Sequence, residues 1–207
     1  MSQRYADNDH YTYPDSSVLV NKLGIRNADE LKRTELVFGV IRSTQPAPEG
    51  NFDTAHLLAL HRHLFQDVYT WAGTIRDVHI SLGNSPFCAP QFIEWSLATQ
   101  LGALANEGCL AETDPDTFAE RAAFHLSELN AIHPFREGNG RTIRLFLFLL
   151  AENAGYDLNS DILEGGWLPC PCIRQKSAPC RRCWGVALSG AARTPCGRDQ
   201  GKSAPWA

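Results

Sequence analysis

Apolar positions recur at helical spacing along most of the chain. Asn27, followed three residues on by Glu30, forms a capping box. The spacing predicts a helix from there to about Arg42, with Leu31, Leu36, Val37 and Val40 inward. Residues 46–50 (PAPEG) break it. Asp53 caps a second helix whose Leu57, Leu60, Leu64 and Val68 share one face, and Trp71-Ala72-Gly73 ends it. Residues 75–81 alternate apolar and polar, Gly83-Asn84 marks a turn, and residues 85–89 return as a short strand. This reads as a small hairpin, with an irregular loop as the alternative. Helix resumes after Pro90, with Phe92, Trp95, Leu101 and Leu104 expected in the core. Asp114-Pro115 opens the next helix, whose stripe is Phe118, Ala122, Leu126 and Leu129. That helix delivers the chain to His133, and Pro134 stops it. A last helix, from about Asn139 to Asn153, is apolar nearly all round, which places it at the centre of a bundle, and Gly155 ends it. The lack of alternating strands and helices argues against a doubly wound nucleotide fold. The fold class is mainly α, with one hairpin.

Composition narrows the function classes. The 207 residues leave room for one domain with a real core, and 43% hydrophobic with 20% charged residues fits a globular protein. The polar opening MSQRYADNDH does not read as a signal peptide. The longest dense apolar run, residues 143–151, falls short of the roughly 20 residues that span a bilayer. A cytoplasmic protein without membrane contact is the expectation. Charge is unevenly spread. Up to Glu164, 12 Lys and Arg stand against 22 Asp and Glu, a balance of −10, while from Gly165 onward 7 stand against 1, a balance of +6. The acidic body argues against direct nucleic-acid binding.

Residues 133–144, HPFREGNGRTIR, concentrate the chemistry. Gly138-Asn139-Gly140 precedes a helix, where successive N–H groups and the positive helix end form an anion nest. Arg141 and Arg144, three apart, share a face and can fork onto phosphate oxygens. The helix is otherwise apolar, so two arginines at its start need an anionic partner. Glu137 beside the nest suits Mg, which takes one or two carboxylates plus phosphate oxygens. His133 can accept a proton from an attacking hydroxyl. Together they point to an enzyme acting on a nucleoside triphosphate. His61 and His63 are read as a surface feature of their helix rather than a metal pair.

The run from His133 to Arg144 is similar, at every defined position, to the signature HxFx(D/E)GNGRxxR of Fic-domain proteins. Trp71-Ala-Gly-Thr-Ile-Arg76 and the hairpin after it resemble the family's flap. Tyr11-Thr-Tyr-Pro14 and Asn21-Lys-Leu-Gly-Ile-Arg26 resemble the N-terminal segment of its bacterial toxin-type subgroup. The resemblance covers roughly residues 10–160. It implies a Fic-type helical bundle: residues 1–50 an N-terminal helical segment, residues 51–160 the core, with the flap at 75–90 and the catalytic loop at 133–144. It also implies transfer of AMP from ATP to a Ser, Thr or Tyr hydroxyl of another protein, with release of pyrophosphate. In that scheme His133 is the base and Glu137 holds Mg bridging the α- and β-phosphates. Gly138, Asn139 and Gly140 cradle the phosphates, Arg141 holds the β-phosphate and Arg144 the γ-phosphate. The flap residues Val78, His79, Ile80 and Ser81 hold the target segment as an added strand, and Phe135 packs. Gly140 favours AMP transfer, because the phosphorylating Doc-like branch carries lysine there.

The family's inhibitory pattern, (S/T)xxxE(G/N), matches residues 160–165, a position read as a chance match. A small antitoxin supplying that helix in trans is preferred, which makes the chain a toxin of a toxin–antitoxin pair. Type II topoisomerase B subunits are the candidate targets. Beyond Gly165 the helical periodicity disappears, and five of the seven cysteines lie there. Cys170, Cys172, Cys180 and Cys183 invite a zinc reading, but their spacing is too tight for an ordinary ribbon. Residues 165–207 are read as an atypical, disordered or frameshifted tail. Two alternatives stand beside this reading, the first of them motivated by the tail. One is an impaired module that binds nucleotide or an antitoxin without turnover. The other is transfer of a different group, such as phosphate or phosphocholine.

Overall fold

The computed structural model describes residues 9–156 and 158. The atypical tail, its cysteines and the match at 160–165 lie outside the described residues. Five helices and one hairpin follow in order: α1 (Ala28–Ser43), α2 (Thr54–Phe65), β1 (Ser81–Leu82), β2 (Ser85–Pro86), α3 (Pro90–Asn106), α4 (Pro115–Ile132) and α5 (Asn139–Asn153). A short 3-10 turn, Gly108–Leu110, joins α3 to α4. The architecture is the mainly helical bundle with one small hairpin that the periodicity predicts. No helix of the described residues is long and apolar enough to cross a membrane.

Local chemistry sets the helix starts. The Asn27 side chain accepts from the Asp29 and Glu30 amides, Asp53 from His56, and Asp114 from Asp116 and Thr117. Each satisfies amides that have no partner inside the helix. Helix α5 packs on α2 and α4, with Phe146 and Leu150 fully buried. Helix α3 lies against α4, and α1 against α2.

Three sequence expectations are corrected. On α1, Leu31 is buried, but Leu36, Val37 and Val40 are exposed, as is Ile41. The inward face carries Leu31, Glu35 and Phe38 instead, because Glu35 and Arg42 find buried or half-buried ionic partners there. On α3, Phe92 and Trp95 point to solvent. Its buried stripe is Ile93, Leu97, Leu101 and Leu104, and Trp95 lies about 200° round the helix from Ile93. Finally, α2 stops at Phe65, well before Trp71. The carbonyls beyond it are taken by the N-terminal segment, with Lys22 donating its amide to Val68 and its Nζ to Gln66.

The hairpin is shorter than the alternation suggests. Only Ser81 pairs with Pro86 and Leu82 with Ser85, extended by a bond from the Phe87 amide to the Ile80 carbonyl. Residues 75–79 form no strand, because the Arg76 amide donates to Pro134 and the Val78 carbonyl accepts from the Arg76 side chain. The N-terminal segment is tied to the loop after α4 by the buried Asp9–Arg136 ion pair, at 2.7 Å.

Candidate active site

The loop between α4 and α5 is held by hydrogen bonds and ring contacts. His133 caps α4 in the left-handed region, φ 50°. Its Nδ1 lies 3.1 Å from the Asn130 carbonyl. A carbonyl only accepts, so Nδ1 carries the proton and Nε2 is the acceptor nitrogen. The Phe87 ring, just beyond β2, stacks on the imidazole with centroids 3.8 Å apart. Tautomer and ring plane are therefore both set by neighbours.

Asn139 closes the loop from inside. Its Oδ1 accepts the Phe135 amide at 2.9 Å and its Nδ2 donates to the Phe135 carbonyl at 2.7 Å. The Asn139 side chain thus shapes the turn, and what it offers an anion is its backbone. Gly138 precedes α5 with φ 83°, and its amide donates to Glu137 Oε1 at 3.0 Å. The first-turn amides of α5 have no i−4 carbonyl within the helix and face its positive end.

Two arginines flank this turn differently. Arg141 Nη2 lies 2.6 Å from Glu35 Oε2 and 3.9 Å from Glu137 Oε1, with its guanidinium over the Phe65 ring. Glu35 is buried and also accepts from the Tyr69 hydroxyl. Burial first, and the Glu35 charge next, push that hydroxyl's pKa far up, so it stays a donor. Arg144 is half-buried and has no hydrogen-bond or ionic partner among the described residues. Burial, then the like charge of Arg141, lower its pKa.

His61 and His63 are both buried, which corrects the surface reading. His61 Nδ1 accepts the Gly73 amide at 2.8 Å, so its Nε2 carries the proton and donates to the Glu137 carbonyl at 3.0 Å. Its ring stacks on Phe135 at 3.8 Å. Burial drives its pKa from 6.5 down to about 3. The folded protein keeps His61 neutral while the unfolded chain protonates it below about 6.5, so protons favour unfolding. We expect His61 to withdraw about 1.4 kcal/mol of stability per pH unit from roughly pH 6 down to 4. Urea titrations against His61→Gln check this: the stability gap between the two proteins narrows by that slope on acidification.

Of the flap residues, Val78 and Ser81 are half-buried, His79 is exposed and Ile80 is buried. Only Ser81 lies in a strand. Sequence reasoning missed Glu35, His61, Tyr69 and Phe87. Two of these had a signal: Glu35 is four residues from Leu31, and His61 four from Leu57, each on a buried stripe. Nothing local marked Tyr69 or Phe87.

Residues 51–151 match the Fic/DOC family. The chain is 43% identical over 157 residues to a probable protein adenylyltransferase, y4lH, of Sinorhizobium fredii, covering 75% of this chain and 82% of the relative. It is 44% identical over 168 residues to the protein adenylyltransferase VbhT of Bartonella schoenbuchensis, covering 79% of this chain and 35% of that longer protein. Its fold is similar to the crystal structure of BepC from Bartonella tribocorum with bound AMPPNP, at a TM-score of 0.67 and 28% identity, over 75% of this chain and 83% of that one. By sequence and by fold, the chain belongs to the Fic/DOC family.

Proposed function

We propose that this chain transfers AMP from ATP to a side-chain hydroxyl of another protein, releasing pyrophosphate. The observation that carries the reading is Arg144. It is a half-buried cation with no partner among the described residues, one turn from the amides that open α5. A buried charge calls for an anion, and a triphosphate supplies one. The relatives' names, adenylyltransferase in both, and the AMPPNP on BepC support the same chemistry.

The acceptor oxygen attacks the α-phosphorus, and the bond from that phosphorus to the bridging oxygen of pyrophosphate breaks. His133 Nε2 takes the hydroxyl proton. Arg141 and Arg144 hold the β- and γ-phosphates against the first-turn amides of α5, with Gly138, Asn139 and Gly140 forming the cradle. The amide of Gly138 would have to exchange Glu137 for phosphate. Glu137 is a part-exposed carboxylate beside the cradle, the single-carboxylate donor set that suits Mg when phosphates complete its shell. Mg, when bound, neutralises charge on the leaving pyrophosphate. At Gly140 an added Cβ would meet only Arg144 Nη1, at an ordinary 3.8 Å. The flap, from Val78 to Ser81, takes the target segment alongside.

Residues 51–160 form the catalytic core in this reading, with residues 1–50 as its N-terminal segment, and the enzyme works in the cytoplasm where ATP is made. Type II topoisomerase B subunits are the first targets to test. A small antitoxin helix, with a carboxylate for Arg144, is the regulatory partner.

The test is label transfer to proteins of a bacterial lysate, with Mg and either α- or γ-labelled ATP. The expected result is label from the α-phosphate only. Label from the γ-phosphate would instead mean phosphoryl transfer. No label from either, from a folded protein that still binds AMPPNP, would mean a module that binds without turnover.

A further inference from the structure

Arg76 is 1% exposed, and it sits where the chain enters the flap. Its guanidinium reaches carbonyls on two sides. On one side Nη1 donates to Val78 at 2.6 Å and Nη2 to Cys88 at 2.6 Å, the two roots of the flap. On the other side Nε donates to His133 at 2.8 Å and Nη2 to Ile132 at 3.3 Å. The Arg76 amide adds a bond to the Pro134 carbonyl at 2.9 Å.

Each half of this arrangement has a physical cause. The last carbonyls of α4 lack donors within the helix and form its negative end, where a cation is favoured. The flap roots have too little strand to pair their own carbonyls. A guanidinium holds its N–H groups in one rigid plane, so carbonyls bound to it are fixed relative to each other as well as to it. A lysine could not reproduce this, because its donors radiate from a single nitrogen. The flap also touches the base directly, since Phe87 bonds Ile80 through its backbone and stacks its ring on His133.

We infer that Arg76 is a positioning residue: it locks both flap roots to the backbone of His133, so that a hydroxyl carried by the flap arrives at Nε2. This rests on the reading that the flap holds the target. The nucleotide-holding groups are placed on residues 137–144, whereas the Arg76 side chain donates to Val78, Cys88, Ile132 and His133.

The test is Arg76→Lys, compared with wild type in two assays. AMPPNP affinity, measured with Mg by calorimetry, is expected to stay within threefold. AMP incorporation into lysate proteins at saturating ATP is expected to fall at least 30-fold. A purely structural role would move both together, through the fraction of folded protein, and that outcome overturns the inference. So does a folded variant that labels as wild type does. Failure of wild type itself to label protein would instead defeat the reading of the flap as a target site. Amide exchange on wild type decides the matter if the variant does not fold. The Arg76, Phe87, Cys88 and His133 amides are expected to exchange as one cooperative unit. Phe87 and Cys88 exchanging more than 100-fold faster than His133 would overturn it.

Discussion

Replacing His133 with alanine is expected to lower AMP transfer at least a thousandfold while leaving AMPPNP affinity within threefold. A positioned general base contributes about 10²–10⁴ in rate, and this one is positioned on every side. Its Nδ1 is committed to the Asn130 carbonyl, and its ring plane is set by Phe87. Such preorganisation places the effect in the upper part of the range. A thousandfold loss corresponds to about 4 kcal/mol of transition-state stabilisation. The variant keeps the left-handed backbone at φ 50° and removes the Nδ1 bond to Asn130 and the stack on Phe87. The fold should lose about 1 kcal/mol, too little to mimic the catalytic effect. Initial rates of incorporation from α-labelled ATP, beside a calorimetric titration with AMPPNP, separate the two. A loss of less than tenfold would remove His133 from the role of base. A parallel loss of nucleotide affinity would make it a structural residue of the loop.

Much of the bundle was legible because its determinants are local. Caps at Asn27, Asp53 and Asp114 fix where helices begin, and a continuous apolar run at α5 can only be central. The rotation of α1 was not legible. Its sequence offers two stripes, one through Leu36, Val37 and Val40 and one through Leu31, Glu35 and Phe38. Hydrophobicity alone favours the first. The second wins because Glu35 meets Arg141 and Tyr69, partners 106 and 34 residues away, and no window along the chain contains them. His61 is a similar case, read outward because histidine is polar and found inward because Gly73 and Glu137 satisfy both its nitrogens. The candidate site followed the same division. The twelve residues of the loop announce themselves, while the groups that hold them come from α1, α2 and the flap.

The glycines of the loop should behave oppositely to one another, and Gly138→Ala carries the second large effect. At φ 83° an L-residue is strained by roughly 1–2 kcal/mol. The added Cβ would also fall 2.3 Å from Phe65 Cζ and 2.4 Å from Cε2. Phe65 cannot simply step aside. It is 1% exposed, it stacks against His61 with centroids 4.8 Å apart, and the Arg141 guanidinium lies 4.4 Å above its ring. Overpacking such a site costs about 1–3 kcal/mol more. The two penalties together give roughly 2–5 kcal/mol of lost stability, the same order as a small domain's whole margin. Because the displaced ring carries His61 on one side and Arg141 on the other, AMPPNP affinity should fall at least tenfold even in the molecules that stay folded. Gly140→Ala is the control within the same tripeptide. Gly140 lies inside α5, and its added methyl would meet only Arg144 Nη1, at an ordinary 3.8 Å. Alanine in a helix is favoured over glycine by about 0.5–1 kcal/mol, so that variant should hold or gain stability. Denaturation midpoints and AMPPNP titrations of both variants test the contrast. Equal losses at the two positions would mean that the turn needs glycine only for the anion's approach. The expected asymmetry would mean that Gly138 is required first by the packing of Phe65, which ties the shape of the cradle to the core beneath it.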